Sequence, residues 1–219
     1  MENLSIACDF DGTITCRDTL HLIVGAFGRA GAWSAIEPRL LAGEISLEEA
    51  MQEQFADVRA TPEQVADLVR ARAGLRPGFG EFVDWAEAGG HRLVVLSSGF
   101  RSVIAMLLSE WGFGRLPLAS HEAVFSPAGA RLVWSDRGAP CPECGRACKR
   151  HDIRRLGLGP PLVYIGDGIS DRCAARLADA VFARADLARH LAADGVPYTP
   201  FDDFHQVRAR LDRTAGIAA

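Results

Sequence analysis

The stretch LSIACDFDGTITC, Leu4–Cys16, runs from apolar residues straight into two aspartates one residue apart, Asp9 and Asp11. A continuous apolar run without alternation predicts a strand covered on both faces. Carboxylates at the exit of such a strand serve as turn formers or helix caps as readily as functional groups. Their meaning depends on what the rest of the chain brings to them. Three further runs have the same form: HRLVVLSSG, His91–Gly99, which leaves through two serines; PLVYIGDG, Pro161–Gly168; and the shorter AVFA, Ala180–Ala183.

Helical patterns separate these runs. FGEFVDWAEAGG places Phe79, Phe82, Val83 and Ala86 on one face and stops at Gly89-Gly90. RSVIAMLLSEWG follows the second run and SDRCAARLAD the third. The alternation predicts an α/β fold with an open, mostly parallel, doubly wound sheet. Residues 16–76 break it. They carry the helix patterns DTLHLIVGAFG, SLEEAMQEQFADV and TPEQVADLVRARA with no clear strand. Ser46 and Glu49 form a capping-box pattern, and Thr61-Pro62 supplies a cap and a first-turn proline. These residues read as a helical insertion between the first two core strands. A second irregular stretch, Ala123–Cys148, reads as a hairpin about Pro127–Gly129 followed by a cysteine-bearing loop.

The 219 residues are 48% hydrophobic with a formal net charge of −4. That suits one large packed domain, or a core with a small insertion, and argues against a generic nucleic-acid binder. No run reaches the roughly 20 apolar residues of a membrane helix, and no basic-then-apolar leader opens the sequence. A cytoplasmic protein is therefore expected. A homodimer is left open. Six cysteines in that setting suggest free thiols or a metal before disulfides. Cys141, Cys144 and Cys148, with His151 after them, offer a zinc set, but structural zinc draws on two separated ligand pairs and these are crowded, so free thiols packing the loop against the core are the favoured reading.

Polar groups stand at three predicted strand exits: Asp9 and Asp11, Ser97, then Asp167 and Asp171, with Lys149 before the third strand. In open parallel sheets such exits form sites where strand order reverses. Carboxylates crowded there repel unless a hard cation such as Mg²⁺ joins them, and a carboxylate can also attack phosphorus.

The ordered set DFDGT, LSSGF, Lys149 and GDGISD resembles the four motifs of the haloacid dehalogenase superfamily. The resemblance implies a Rossmann-like core, residues 1–15 and 77–219, with a helical cap, residues 16–76, as in the phosphoserine-phosphatase-like branch. It implies that Asp9 is a nucleophile forming an aspartyl-phosphate, and that Asp11 is the acid/base. Ser97 and Lys149 would hold the phosphoryl group. Mg²⁺ would be bound by Asp9, Asp167 and the Asp11 carbonyl, with Asp171 orienting these ligands. Gly12 and Gly99 belong to phosphate-facing loops. Asp18 is a substrate residue or a helix cap, and Ser98 is a site residue or a helix cap. His21 is expected in a core or interface. Branches without phosphatase-type acid/base chemistry lack an aspartate at the Asp11 position, so phosphoester hydrolysis is favoured, with phosphomutase as the residual option.

A longer resemblance, carried by LRPGFGEFVDWAE, SHEAVF, VYIGDGISDRCAARLADAVFARADL and PYTPFDDFHQV, is to the phosphatases of methionine salvage. It implies a small phosphate monoester as substrate. The chain departs from that pattern at Ser98 and Arg150. Phosphoserine is disfavoured because SLEEAMQEQF lacks a carboxylate-binding arginine. A zinc-stabilised, non-catalytic interaction protein on the same fold is the alternative from another class.

Overall fold

Ser5–Cys8 forms strand β1, whose residues Ile6–Cys8 are fully buried. The computed structural model describes residues 3–135, 140–145 and 148–217, with side chains to residue 213. Within them the sheet continues with β2 (Arg92–Phe100), β3 (Leu118–Val124), β4 (Arg131–Val133), β5 (Leu162–Gly166), β6 (Ala180–Ala183) and β7 (Thr199–Pro200). The order is β4-β3-β2-β1-β5-β6-β7, and every pair is parallel except β3–β4. All four expected strands are present. The expected hairpin is β3–β4, but β3 also extends the parallel sheet beside β2. Parts of the cysteine-bearing loop, residues 136–139 and 146–147, lie outside the described residues.

Strand pattern and burial agree. Ile6 and Cys8 join one apolar cluster, with Phe79, Phe82 and Ile165. Ala7 joins the other, with Val94, Leu96 and Tyr164. A strand buried on both faces cannot alternate with polar residues, which is why these runs read as continuous. The chain builds β2 and β3 on one side of β1, then crosses back to lay β5 on the other. Strand order therefore reverses at β1, and a crevice opens outside its carboxyl end.

Four helices separate β1 from β2: α1 (Thr19–Phe27), α2 (Ala32–Leu41), α3 (Leu47–Phe55) and α4 (Pro62–Arg72). Ser46 and Glu49 close a reciprocal capping box at α3, as do Thr61 and Gln64 at α4. Ala32, Ile36, Leu40, Ile45 and Ala50 form a small core of their own. The two chain crossings into this insertion are stitched together. Thr15 bridges Leu75, Cys16 N–H donates to the Gly74 carbonyl at 2.8 Å, and Arg76 N–H donates to that of Ile14 at 2.8 Å.

The remaining helices are α5 (Phe79–Ala88), α6 (Arg101–Glu110), α7 (Lys149–Arg155), α8 (Arg172–Ala175), α9 (Ala185–Ala193) and α10 (Phe204–Ile217). The four predicted face residues of α5 are all buried, and Phe204 packs on Phe79 and Phe82 at ring distances of 4.9 and 5.2 Å. Each such ring contributes roughly 1.5–3 kcal/mol by leaving water. Among the described residues no helix is long and apolar enough to cross a membrane.

Four expectations change. Phe100, not Ser98, precedes the first turn of α6, because β2 runs on to residue 100. Lys149 opens α7 rather than lying in a loop. The helix expected over SDRCAARLAD is one turn after a 3₁₀ turn, Ile169–Asp171, because the chain must turn back through Leu177 and Ala178 to enter β6. His21 is exposed and meets Trp33 edge-on at 5.5 Å, while α1 buries Leu22, Ile23 and Val24 instead.

Candidate active site

β1 and β5 are neighbours in register, so Asp9 and Asp167, one residue past each, emerge side by side. Asp171 returns toward them from the 3₁₀ turn. One carboxylate oxygen from each of Asp9, Asp167 and Asp171 lies within 4.8 Å of the others. Lys149 Nζ donates to Asp9 Oδ1 and to Asp171 Oδ1, both at 2.6 Å, with the lysine only 1% exposed. Burial alone would discharge this ammonium, but the Asp171 and Asp9 carboxylates outweigh it and raise its pKa. Burial, then the Asp171 carboxylate, push Asp9 up against the pull of Lys149. The same two causes raise Asp167 to about 7. One ammonium does not neutralise three carboxylates.

Asp171 is held from four directions. Its Oδ1 accepts from Lys149 and from the Tyr164 hydroxyl at 2.6 Å, and its Oδ2 accepts from the amides of Asp167 and Gly168 at 3.1 and 3.0 Å. Asp167 accepts from the Thr13 hydroxyl at 2.9 Å.

Asp11 turns its carboxyl the other way. Oδ1 accepts from Thr19 N–H at 3.1 Å and from the Thr19 hydroxyl at 2.5 Å, while Oδ2 accepts from the Ser97 hydroxyl at 3.1 Å. Burial, then the nearby Asp18 carboxylate, raise Asp11 to about 6 despite these donors. Ser97 reaches it because β2 breaks register. Leu96 pairs with Ala119, but Phe100 pairs with His121, leaving Ser97–Gly99 bulged. Gly99 N–H donates to Ser97 Oγ at 2.8 Å, and a Cβ on Gly99 would stand 2.5 Å from Asp11 Oδ2. Ser98 Oγ is buried and has no hydrogen-bond partner among the described residues.

Gly12 has φ +73°, a left-handed conformation that bends the chain away from Asp9, and any Cβ there would collide with the Asp167 carboxylate. Its amide donates to Thr15 Oγ1 at 2.9 Å. Its carbonyl accepts from Arg76 Nη2 at 2.6 Å and Arg184 Nη1 at 2.8 Å. Gly12 thus shapes the loop, with its amide turned inward. Asp18 caps α1, accepting from His21 N–H at 2.9 Å.

Sequence reasoning missed Arg76, Arg184, Tyr164 and Thr19. The only signals were an arginine beside Pro-Gly where the chain re-enters the core, and a phenol in an otherwise aliphatic strand. It also misjudged the cysteine set. Cys141, Cys144 and Cys148 gather with Cys173 of α8, and His151 is not part of the group.

Beside these groups lies a cleft of about 530 Å³ between the insertion and the core. Ser98 and Lys149 line it, with Leu40, Leu41, Leu47 and Ile169 as apolar walls. Ile169, from the loop that carries Asp167, packs on the small core of the insertion.

Residues 6–176 match the model of the haloacid dehalogenase-like hydrolase family. A 2-hydroxy-3-keto-5-methylthiopentenyl-1-phosphate phosphatase from Brevibacillus brevis is 31% identical over 94% of each chain. The bifunctional enzyme MtnB/MtnX of Bacillus licheniformis is 33% identical over 97% of this chain, which spans 50% of that protein. A solved phospho-aspartyl intermediate analogue of phosphoserine phosphatase superposes with a TM-score of 0.74 at 16% identity, covering 96% of this chain and 99% of that one.

Proposed function

Because this chain belongs to the haloacid dehalogenase-like hydrolase family and is a phosphoric monoester hydrolase, we propose that it hydrolyses a small phosphate monoester through an aspartyl-phosphate on Asp9. The observation that carries this reading is the buried Lys149 ammonium, shared between Asp9 and Asp171 at 2.6 Å each. It holds Asp9 in position and opposes the burial that pushes its pKa up, while one ammonium among three carboxylates leaves room for a cation.

Asp9, Asp167 and the Asp11 carbonyl fit Mg²⁺, which prefers oxygen ligands and tolerates only a few carboxylates. When bound, it would supply charge neutralisation at the phosphoryl oxygens. The chain's own groups do the rest. An Asp9 carboxylate oxygen attacks phosphorus, and an O–P bond forms as the bond to the leaving oxygen breaks. The Asp11 carboxylic acid gives its proton to that oxygen. The Asp11 carboxylate then takes a proton from water, whose oxygen attacks phosphorus, and the bond to Asp9 breaks to release phosphate. An acid/base raised to about 6 serves both directions near neutrality. Ser97 Oγ–H, which here donates to Asp11, turns to a phosphoryl oxygen, and Lys149 balances charge beside it.

Residues 16–76 act as a cap over the core, residues 1–15 and 77–219, and read the leaving group. The cleft is mixed, with Leu40, Leu41, Leu47 and Ile169 beside Glu143, Arg172 and Arg176, so it can take a leaving group with both polar and apolar parts. The names of the relatives point to 2-hydroxy-3-keto-5-methylthiopentenyl 1-phosphate ahead of phosphoserine.

The test is phosphate release from both esters, from an acyclic sugar phosphate and from a chromogenic ester, by wild type and Asp9→Asn with Mg²⁺. Wild type should show its highest kcat/KM on the methylthio ester. Asp9→Asn should lose turnover on every ester while melting like wild type. Turnover by Asp9→Asn within about tenfold of wild type refutes the nucleophile assignment.

A further inference from the structure

We infer that Cys141, Cys144, Cys148 and Cys173 form a structural zinc site that fastens together the two chain segments carrying Lys149 and Asp171. All four are free thiols, and their sulfur atoms lie within 4.8 Å of one another. Cys141 Sγ and Cys173 Sγ are 3.6 Å apart. In a tetrahedral thiolate site with Zn–S of about 2.3 Å, the sulfurs stand about 3.8 Å apart. Cys141 and Cys173 already have that spacing, and the four sulfurs, all within 4.8 Å of one another, need only small adjustments to reach it.

The ligands come from two places. Cys141, Cys144 and Cys148 lie in the loop leading to α7, and Cys173 lies in α8. The first two have the Cys-x₂-Cys spacing of structural zinc ligands. Gly145 N–H donates to the Cys141 carbonyl at 2.7 Å, closing a turn that brings Cys144 back beside Cys141.

Arg150 provides an independent observation. Its side chain is more than nine-tenths buried, and its Nε has no hydrogen-bond partner among the described residues. Its Nη1 stands 4.0 Å from Cys173 Sγ, and its Nη2 stands 3.7 Å from Glu143 Oε1. Four thiolates around Zn²⁺ carry a net charge of −2, and a buried guanidinium against one sulfur offsets part of it. Beside a neutral Cys173 thiol this buried arginine would keep the exposed Glu143 carboxylate but gain no charge partner at the sulfur.

The donor types also separate this site from the carboxylates nearby. Thiolates select zinc, while the oxygen ligands of Asp9 and Asp167 suit a hard cation. The location gives the site its purpose. Cys148 directly precedes Lys149, and Cys173 follows Asp171 by two residues. A metal joining Cys148 to Cys173 therefore fixes the approach of Lys149 Nζ to Asp171 Oδ1. The cysteines are positioning residues, and the site stands whether or not Asp9 is the nucleophile.

The test uses the full chain purified without chelator. Elemental analysis should find close to one zinc per chain. Replacing zinc with Co²⁺ should give the intense visible bands of tetrahedral cobalt and a near-ultraviolet thiolate charge-transfer band. Titration with a mercurial should release the zinc as four thiols react. Cys173→Ser should lose most of the zinc, and His151→Ala should keep it. Because Cys173→Ser could fail to fold, the cobalt spectrum and thiol count on wild type stand as separate measurements. Negligible zinc with no cobalt thiolate band, a Cys141–Cys173 disulfide in the native protein, or zinc lost by His151→Ala and kept by a folded Cys173→Ser would each overturn the assignment.

Discussion

Replacing Arg76 with methionine should loosen the loop that carries Asp9 and Asp11, although Arg76 lies far from them in sequence. The guanidinium donates to four backbone carbonyls: Thr13 from Nε at 2.6 Å, Gly12 and Thr15 from Nη2 at 2.6 and 2.9 Å, and Asp202 from Nη1 at 3.1 Å. Methionine keeps much of the apolar stem and removes all four donors. The Gly12 carbonyl retains Arg184. Three carbonyls are left, and a buried acceptor without a partner costs roughly 1–3 kcal/mol. Water entering the gap recovers part of this, so the net loss should be about 3–5 kcal/mol. For a chain of this size that is a fall in Tm of about 6–20 °C. The rate should fall too, because Thr13 follows the loop and its hydroxyl holds Asp167. Calorimetry and steady-state kinetics on Arg76→Met and Arg76→Lys measure both. Lysine, a single point donor, should recover less than half of the lost stability. A Tm within about 2 °C of wild type and an unchanged kcat for Arg76→Met would refute the reasoning.

Lys149→Met should cost about 3–5 kcal/mol by leaving Asp9 and Asp171 buried without their shared cation. Its kcat should fall by at least about a hundredfold, and calorimetry showing wild-type stability would contradict the buried-pair accounting. His91 is buried against Trp85, and its Nδ1 accepts from Leu4 N–H at 3.2 Å. Burial lowers its pKa. The unfolded chain then takes up a proton that the folded one refuses, so this contribution is complete above the unfolded value of about 6.5 and is lost as pH falls through the lower folded value. Tm measured from about pH 8 to about pH 5 should fall less steeply in His91→Gln than in wild type. Parallel curves would exclude His91 as the source.

The elements that the sequence announces are those with local causes. Capping boxes at Ser46 and Thr61 and the apolar face of α5 depend on residues three or four apart, and all were readable. The strand exits were readable because apolar runs stop abruptly at Asp9, Ser97 and Asp167. What stayed hidden depends on contacts across the chain. Arg76 reads as an ordinary loop residue until its four carbonyl partners are seen, and Tyr164 reads as a core aromatic until its hydroxyl is found on Asp171. Cys173 looks like a helix-buried thiol because nothing local says that β5 returns it to the loop of Cys141. Crowding in sequence suggested His151 instead, but the imidazole is not among the groups that gather with these sulfurs. The bulge at Ser97–Gly99 was equally silent, since it exists only relative to the partner strand β3.

The division of roles among the four aspartates follows from the donors that each already holds. A carboxylate offers about four acceptor positions. Asp171 has four protein donors, Lys149, Tyr164 and two amides, so it has nothing left to give an incoming group and serves to fix its neighbours. Asp11 has three, from Thr19 twice and Ser97, and of these Ser97 can be exchanged for a phosphoryl oxygen. Asp167 accepts from Thr13 and Asp9 from Lys149, so these two keep most of their acceptor positions toward the crevice. The least-occupied pair is also the pair at the carboxyl ends of adjacent strands, where the reversal of strand order opens the sheet. Reactivity and vacancy thus coincide by construction. The backbone places Asp9 and Asp167 at the opening, and the surrounding donors hold the other two aspartates, which leaves the least-occupied pair for the cation and the phosphorus of the proposed reaction.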